Sequence, residues 1–214
     1  METEDRSLRT AAWISLAVHG VAGAAMALVL WRGLATNPDL ADRVAFLDEH
    51  RALWRAAWAT WNVAALSILW FYRCFARRES TSPLAAWVLP LTLVAVTADL
   101  SAEAIYMGVV PGLPADALLV WDRRAVLLTG FFANGLYTGV AGLLAWIARA
   151  RYARWVGAAA AAVVVAGAGL SAAAFFGSVP GLFWTNALLV PAIVAWQLGV
   201  IFGSRIQHRA RPVI

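Results

Sequence analysis

Six long apolar blocks constrain this chain more than any other feature of its sequence. A helix needs roughly 20 residues to cross the hydrocarbon core of a bilayer, which is about 30 Å thick. Each block has that length or nearly so, and together they span residues 11–31, 53–75, 84–110, 125–147, 156–176 and 182–203. The sequence therefore predicts an all-α, multi-pass transmembrane bundle of six helices, organised as a single domain over residues 1–214.

The composition agrees with a membrane protein and excludes several kinds of chemistry. Hydrophobic residues make up 62% of the chain and charged residues only 14%, against about 25% charged in soluble domains. The chain has no lysine, which excludes a retinal or pyridoxal Schiff base. Its single cysteine, Cys74, excludes an intrachain disulfide and a cysteine metal cluster. We expect no metal and no cofactor.

The arginines predict the orientation of the helices. The isoelectric point of about 10.3 does not indicate nucleic-acid binding, because arginines at the ends of apolar spans are topology signals. Eleven arginines fall on one predicted side: Arg6, Arg9, Arg73, Arg77, Arg78, Arg149, Arg151, Arg154, Arg205, Arg209 and Arg211. The other six arginines fall on the opposite side: Arg32, Arg43, Arg51, Arg55, Arg123 and Arg124. Six acids on that side balance their charge: Asp39, Asp42, Asp48, Glu49, Asp116 and Asp122. Both termini are therefore predicted to be cytoplasmic, in a bacterial inner membrane.

Two segments near the N-terminus each allow two interpretations. The first block follows the leader "METEDRSLR", which is as acidic as it is basic. We therefore expect an uncleaved first helix rather than a signal peptide. The longest connection contains "NPDLADRVAFLDEHRALW", where acids and apolar residues recur at helical spacing. It is interpreted as a short interfacial helix between the first two spans, with a solvated loop helix as the alternative.

Two acids in the third block are the main candidates for function. In "TADLSAEAIY", Asp99 and Glu103 are four residues apart, so they lie one turn apart on one helical face that Tyr106 continues. Asp99 is predicted roughly 16 Å, and Glu103 roughly 10 Å, from the outer edge of the membrane. A charge near the bilayer centre costs about 2.5–3.5 kcal/mol, so intramembrane acids usually have a function. The alternative is a structural knot that holds helices together.

Other helices offer polar and aromatic side chains at the same predicted depth. Asn62 and Asn134 each fall roughly 13 Å from the outer edge, and His19 lies near the midplane. Aromatic residues Trp58, Trp61 and Tyr137 are too deep for an interfacial belt. We predict Asp99 and Glu103 as catalytic residues and the following as ligand-binding residues: Asn62, Asn134, Tyr106, Trp58, Trp61, Tyr137 and His19. Interhelical hydrogen bonding remains the alternative role for the asparagines and His19.

These features support three classes of function. The first is an enzyme that performs acid–base isomerisation or cyclisation on a lipid-soluble, isoprenoid-like substrate, because a buried carboxyl can donate a proton and aromatic faces stabilise cations. In general character this resembles the small membrane-integral terpene cyclases, which also pair intramembrane acids with aromatics. The resemblance is one of type, without a motif that matches residue by residue. The second is a small proton-coupled transporter. The third is a non-catalytic lipid- or pigment-binding or assembly subunit, and a homo-oligomer is compatible with each.

Overall fold

A computed structural model describes residues 2–203 of the chain, and its regular elements are helical. The eight α-helices are α1 (Glu2–Leu28), α2 (Leu40–Glu49), α3 (Arg51–Arg78), α4 (Val88–Ala104), α5 (Ala115–Val126), α6 (Asn134–Ala148), α7 (Arg154–Phe176) and α8 (Val179–Phe202). Short 3-10 turns cover Leu30–Arg32 and Pro83–Trp87. Two π-helical segments, π1 (Ile105–Val109) and π2 (Leu127–Ala133), continue α4 and join α5 to α6. The prediction of an all-α chain is confirmed.

Five helical stretches are long and apolar enough to cross a membrane, which indicates an integral, multi-pass membrane protein. They are Thr3–Leu28, Pro83–Val109, Ala115–Ala148, Arg154–Phe176 and Val179–Phe202. The predicted second span corresponds to α3, a helix of 28 residues that is not among the five. Asn62 and the arginines near both ends of the helix make α3 less apolar than the other stretches. Its outward side chains Val63 and Leu66 are nevertheless exposed, as expected for a surface that faces lipid.

Capping residues and prolines explain where several helices begin and end. Asp39 caps α2, and its Oδ1 accepts from the backbone nitrogens of the second and third helical residues at 3.0 Å. Gly177 ends α7 in the left-handed region, with φ of 71°. Pro191 lies inside α8. Pro90 lies in the first turn of α4, where a missing N–H costs no helical hydrogen bond.

The six long helices form a ring in chain order. Each of α1, α3, α4, α6, α7 and α8 packs against the next, and α8 returns to pack against α1. The closing contact includes a buried hydrogen bond of 2.8 Å from Gln197 Nε2 to Ser15 Oγ. Across the ring, α3 touches α6, where Tyr72 Oη donates to the carbonyl oxygen of Tyr137 at 3.2 Å. The tail that carries Arg205, Arg209 and Arg211 lies outside residues 2–203.

The buried side chains form two separate hydrophobic cores. The first core lies at the predicted cytoplasmic end and draws on α1, α3, α4, α6, α7 and α8, with Phe71, Phe75 and Trp196 packed together. The second core lies at the predicted outer end and uses α1 to α5 with the turns between them, centred on Trp54, Trp58 and Tyr106. The predicted catalytic acids lie on α4 between these two cores.

Candidate functional site

Asp99 joins α4 to the helix that π2 and α6 form. Its Oδ1 accepts a hydrogen bond from the hydroxyl of Thr129, and its Oδ2 accepts one from Tyr137 Oη at 3.3 Å. Thr129 lies in π2 and Tyr137 lies two turns further along in α6. The structure therefore brings together two predicted site residues, Asp99 and Tyr137. The sequence analysis did not identify Thr129, because only the packing of π2 on α4 brings it to the carboxylate.

Glu103 lies one turn beyond Asp99 but in a different environment. It is buried, with 1% of its surface exposed. Its Oε2 has no hydrogen-bond partner within residues 2–203. A buried polar group without a partner costs roughly 1–3 kcal/mol, so native structures contain few of them. We call Asp99, Glu103, Thr129 and Tyr137 the acid layer. In this layer the carboxyl group of Asp99 has two hydroxyl donors, whereas Glu103 has no donor within residues 2–203.

Aromatic side chains of α3 pack against α4 and π1 next to the acid layer. Trp58 stacks face to face on Tyr106, with ring centroids 4.2 Å apart and an interplanar angle of 5°. Trp54 Nε1 donates to the carbonyl oxygen of Tyr106 at 2.6 Å. Trp61 meets the ring of His19 edge-on at 6.4 Å. The stacked pair of Trp58 and Tyr106 thus lies about one helical turn from Glu103, whereas Trp61 contacts α1.

A buried ion pair that the sequence analysis missed anchors Tyr106. Tyr106 Oη donates to Asp122 Oδ1 at 3.0 Å, and Arg43 Nη2 donates to Asp122 Oδ2 at 2.7 Å. Both charged side chains are nearly fully buried. Arg43 and Asp122 were counted as outer-loop charges in the topology argument, whereas the structure places them inside. We call Arg43, Asp122 and Tyr106 the ion-pair layer.

A sequence signal for the ion-pair layer exists in the helical spacing. On α2, Arg43 falls three residues after Leu40 and four before Leu47, on the apolar face of the helix. On α5, Asp122 falls between the buried residues Leu118 and Ala125 at the same spacing. A charge on the apolar face of an amphipathic helix indicates a buried partner.

Three predicted ligand-binding residues have other neighbours. Asn134 Nδ2 donates to α7, at 2.7 Å to the carbonyl oxygen of Gly167 and at 2.8 Å to Ser171 Oγ. Asn62 Nδ2 lies 3.7 Å from Met107 Sδ. His19 Nδ1 lies 2.8 Å from the carbonyl oxygen of Ser15, one turn back on its own helix. The asparagines therefore do not contact the acids directly.

Polar side chains at this level are incompletely enclosed by their neighbours. The following are all half-buried, although most are bonded to neighbouring helices: His19, Asn62, Asp99, Thr129, Asn134, Tyr137, Thr185 and Asn186. Two open surface cavities lie elsewhere. One of about 810 Å³ lies between α2 and the connection before α5, and one of about 340 Å³ lies beside Glu79 and Arg151. These side chains are thus partly accessible rather than sealed inside the bundle.

Both π-helical segments adjoin the acid layer. π1 begins two residues after Glu103, and π2 contains Thr129. A π-turn inserts one extra residue into a helix, which rotates the side chains beyond it, and such turns occur frequently at functional sites. Nothing in the sequence pattern marks these two segments, because their residues are as apolar as those of the adjoining α-helices.

A third buried acid, Glu79, lies at the opposite end of the bundle, outside the spans. Glu79 is 3% exposed, and its Oε2 lies 3.2 Å from Arg151 Nε. Burial raises the pKa of Glu79, while the charges of Arg151 and Arg78 oppose this shift. Burial also raises the pKa of the neighbouring Tyr152 to about 12. Arg78 joins this group to α1 through Asp5 Oδ1 at 2.7 Å.

The chain has no match among family models, curated proteins or solved structures. The geometry of the acid layer is therefore the basis for any functional conclusion. Within residues 2–203 no three His, Cys, Asp or Glu side chains are grouped so that they could hold a metal ion. The acid layer thus consists of two carboxyl groups and two hydroxyl groups inside an integral membrane protein, and the stacked rings of Trp58 and Tyr106 lie about one turn away.

Proposed function

We propose that this protein is an intramembrane enzyme that performs acid–base chemistry, an isomerisation or a cyclisation, on a lipid-soluble, isoprenoid-like substrate. One observation carries the proposal: Glu103 is buried without a hydrogen-bond partner in the described part of the chain, one turn from Asp99, which has two. Pairs of carboxyl groups in contrasting environments provide the acid and the base of many enzymes.

The contrast assigns the two roles. Two hydroxyl donors suit a carboxylate at Asp99, which serves as the base. Glu103 has no facing donor and suits the protonated member of the pair, which serves as the acid. Glu103 gives its proton to a substrate double bond, and Asp99 removes a proton from an adjacent carbon, so that the double bond moves. Transfer of the proton from Asp99 to Glu103 then restores both groups.

The aromatic side chains stabilise the positive charge that develops on carbon between these two steps. The faces of Trp58, Trp61, Tyr106 and Tyr137 carry negative quadrupole charge, which attracts cations within about 6 Å. Their apolar surfaces also suit a prenyl chain, so the ligand is a membrane lipid or a hydrophobic small molecule. No nucleic acid takes part.

The proposal includes six spans, with α3 as the second and both termini in the cytoplasm of a bacterial cell. In this topology α2 lies at the outer interface, and the acid layer lies in the outer half of the membrane. Hydrogen bonds support α3 as a span, because Trp54 and Arg55 both donate to backbone carbonyl oxygens at the outer end of the Pro83–Val109 stretch. A homo-oligomer is compatible with this arrangement.

Proton-coupled transport is the weaker alternative. A carrier needs a polar path from the acid layer to the cytoplasmic side, whereas the core at that end is apolar. Phe71, Phe75 and Trp196 pack there with centroid distances of 5.7–6.1 Å. A non-catalytic lipid- or pigment-binding or assembly subunit would use the same layer without proton transfer, and the experiment below separates it from an enzyme.

Proton exchange into a prenyl lipid tests the enzyme proposal without knowledge of the product. The full chain is reconstituted in bilayers that contain mixed prenyl lipids in heavy water, and mass spectrometry measures deuterium in the recovered lipids. We expect incorporation with the wild type and a loss of about 10²–10⁴-fold in Glu103→Gln and in Asp99→Asn. Ser101→Ala, an exposed position between the two acids, is the matched control and should retain the wild-type rate.

Three results would overturn the proposal. Deuterium incorporation at the wild-type rate in Glu103→Gln would remove Glu103 as the acid. Failure of both acid variants to accumulate as folded protein, while Ser101→Ala accumulates, would instead indicate a structural knot. A folded wild type that binds prenyl lipid without any incorporation would indicate the binding subunit.

A further inference from the structure

We infer that Glu103 of the acid layer and two tryptophans of α3, Trp58 and Trp61, bind a carbonyl oxygen of the substrate. This inference rests on the proposed function, since it names the polar group of the substrate that the acid layer acts on. It starts from three buried atoms that have no hydrogen-bond partner within residues 2–203: Glu103 Oε2, Trp58 Nε1 and Trp61 Nε1. Buried polar atoms are almost always paired, so three unpaired ones in one region point to a missing partner.

The packing of α3 on α4 brings the three residues that carry these atoms to neighbouring helical turns. The two helices run in opposite directions, and Trp58 is stacked on Tyr106. One turn back along α4 from Tyr106 lies Glu103, and one turn forward along α3 from Trp58 lies Trp61. Glu103 is therefore level with Trp61, one turn from the stacked pair. Trp58 is 95% buried, since only 5% of its surface is exposed.

The chemistry of the three atoms defines the partner. An indole N–H can only donate a hydrogen bond, and a protonated carboxyl group donates as well. The missing group is therefore an acceptor. A carbonyl oxygen has two lone pairs and carries no charge, so it enters an apolar interior at a lower cost than an ion does. A cation would find no acceptor in the two indole groups.

With a carbonyl group at this position, the proposed double-bond shift runs through an enol: the proton from Glu103 goes to oxygen in place of the carbon–carbon double bond, and no carbon cation forms. Glu103 gives its proton to the carbonyl oxygen while Asp99 removes a proton from the adjacent carbon. The electron pair of that C–H bond becomes a carbon–carbon double bond, and the carbonyl π pair becomes the O–H bond of an enol. The step needs a substrate with a double bond between the next two carbons, so that the enol is a dienol. Asp99 returns its proton to the far carbon of that double bond, whose π pair forms the new C–H bond. The enol C=C pair moves one carbon along, the O–H proton returns to Glu103, and the O–H pair restores the carbonyl group, which completes the double-bond shift. Each proton and electron pair is accounted for, and no further reactant is needed.

Binding of three matched prenyl probes tests this inference. The probes are the prenyl methyl ketone geranylacetone, the secondary alcohol of the same chain and the hydrocarbon of the same chain. Affinity is measured for the full chain in bilayer nanodiscs, and infrared spectroscopy measures the stretching band of a carbon-13-labelled ketone. We expect the ketone to bind tightest and its band to shift to lower wavenumber on binding.

Tryptophan variants test the two indole donors. Trp61→Phe keeps an aromatic ring but removes the N–H, so the ketone should bind about fivefold more weakly and its band should shift less. Trp58→Phe provides the same measurement if Trp61→Phe does not fold. Trp184→Phe is the matched control, because Trp184 is exposed on α8, and it should leave both readings unchanged.

The outcomes separate this inference from the proposed function. Equal affinity for ketone and hydrocarbon, tighter binding of the alcohol, or an unshifted carbonyl band would overturn the carbonyl assignment even if deuterium exchange occurs. A shifted band without deuterium exchange would overturn the enzyme proposal and leave the carbonyl site standing. Asp99→Asn should lose deuterium exchange and keep the shifted band, since Asp99 is not among the three donors.

Discussion

The ion-pair layer and the acid layer lie next to each other, yet they treat buried charge in opposite ways. In the ion-pair layer, Asp122 accepts from both Arg43 and Tyr106, so the buried carboxylate is fully compensated. In the acid layer, Glu103 is buried to the same degree and has no partner among residues 2–203. Burying a charged or polar group costs free energy in both layers, but only in the ion-pair layer do hydrogen bonds and an ion pair offset that cost. This difference is the basis of our proposal that the ion-pair layer is scaffold and that the acid layer carries the chemistry.

The largest expected effect on stability comes from breaking the ion pair of the ion-pair layer. Asp122→Leu leaves the Arg43 guanidinium buried without its carboxylate, so the free energy of unfolding should fall by about 3–5 kcal/mol. Adding Arg43→Met should recover most of this loss, because two apolar side chains leave no charge unpaired. Thermal unfolding in detergent, followed by helical circular dichroism, measures both. A double variant as unstable as the single one would show that the pair does more than neutralise charge.

The same substitution in the acid layer should have the opposite sign. Glu103→Leu removes an unpaired carboxyl group and leaves no partner behind, so the free energy of unfolding should rise by about 1–3 kcal/mol. This is the trade of stability for function that strained sites often show. The unfolding measurement used for Asp122→Leu serves as the direct comparison. A loss of stability similar to that of Asp122→Leu would show that Glu103, like Asp122, is a partnered structural acid, so that the two layers do not differ.

The smallest expected effect concerns Glu79, a third buried acid, which has an arginine partner as Asp122 does. Burial raises its pKa above the ordinary value of 4.5, more than the charges of Arg151 and Arg78 lower it. A carboxyl group whose pKa is raised by folding contributes stability below its unfolded pKa and loses it as the pH rises through the folded pKa. The stability of the wild type relative to Glu79→Gln should therefore increase as the pH falls from 7 towards 4.5. A relative decrease over that window would show that the arginines dominate.

Sequence periodicity predicted the helices better than it predicted their neighbours. The five confirmed stretches begin and end close to the predicted blocks, except that α1 and α5 start earlier. Their positions follow from apolar length alone, which is a local property. The pairing of Thr129 with Asp99 depends on the π2 segment and on how two distant stretches pack, and no local pattern encodes it. Arg43 and Asp122 show the limit of counting charges, because a charge in a connecting segment can still fold inward.

Helical spacing explains part of the site geometry, and partners explain the rest. Asp99 and Glu103 lie one turn apart on α4 as the spacing predicts, and Tyr137 donates to Asp99. The catalytic and ligand-binding roles of these residues stay predictions. Depth alone also suggested that Asn134 would join the acids. It turns instead to α7, because Gly167 and Ser171 let the two helices approach closely enough for a direct hydrogen bond.

The ring of helices has a consequence for how the protein is made. Five of its six contacts join helices that are consecutive around the ring in chain order, so each can form soon after its second helix leaves the ribosome. The contact between α1 and α8 joins residues as far apart as Ser15 and Gln197, and it forms last. Until then the interior is open on one side to the surrounding lipid. The interval between the synthesis of α7 and the docking of α8 is thus the stage at which the nascent bundle is most exposed to quality-control proteases and insertion chaperones.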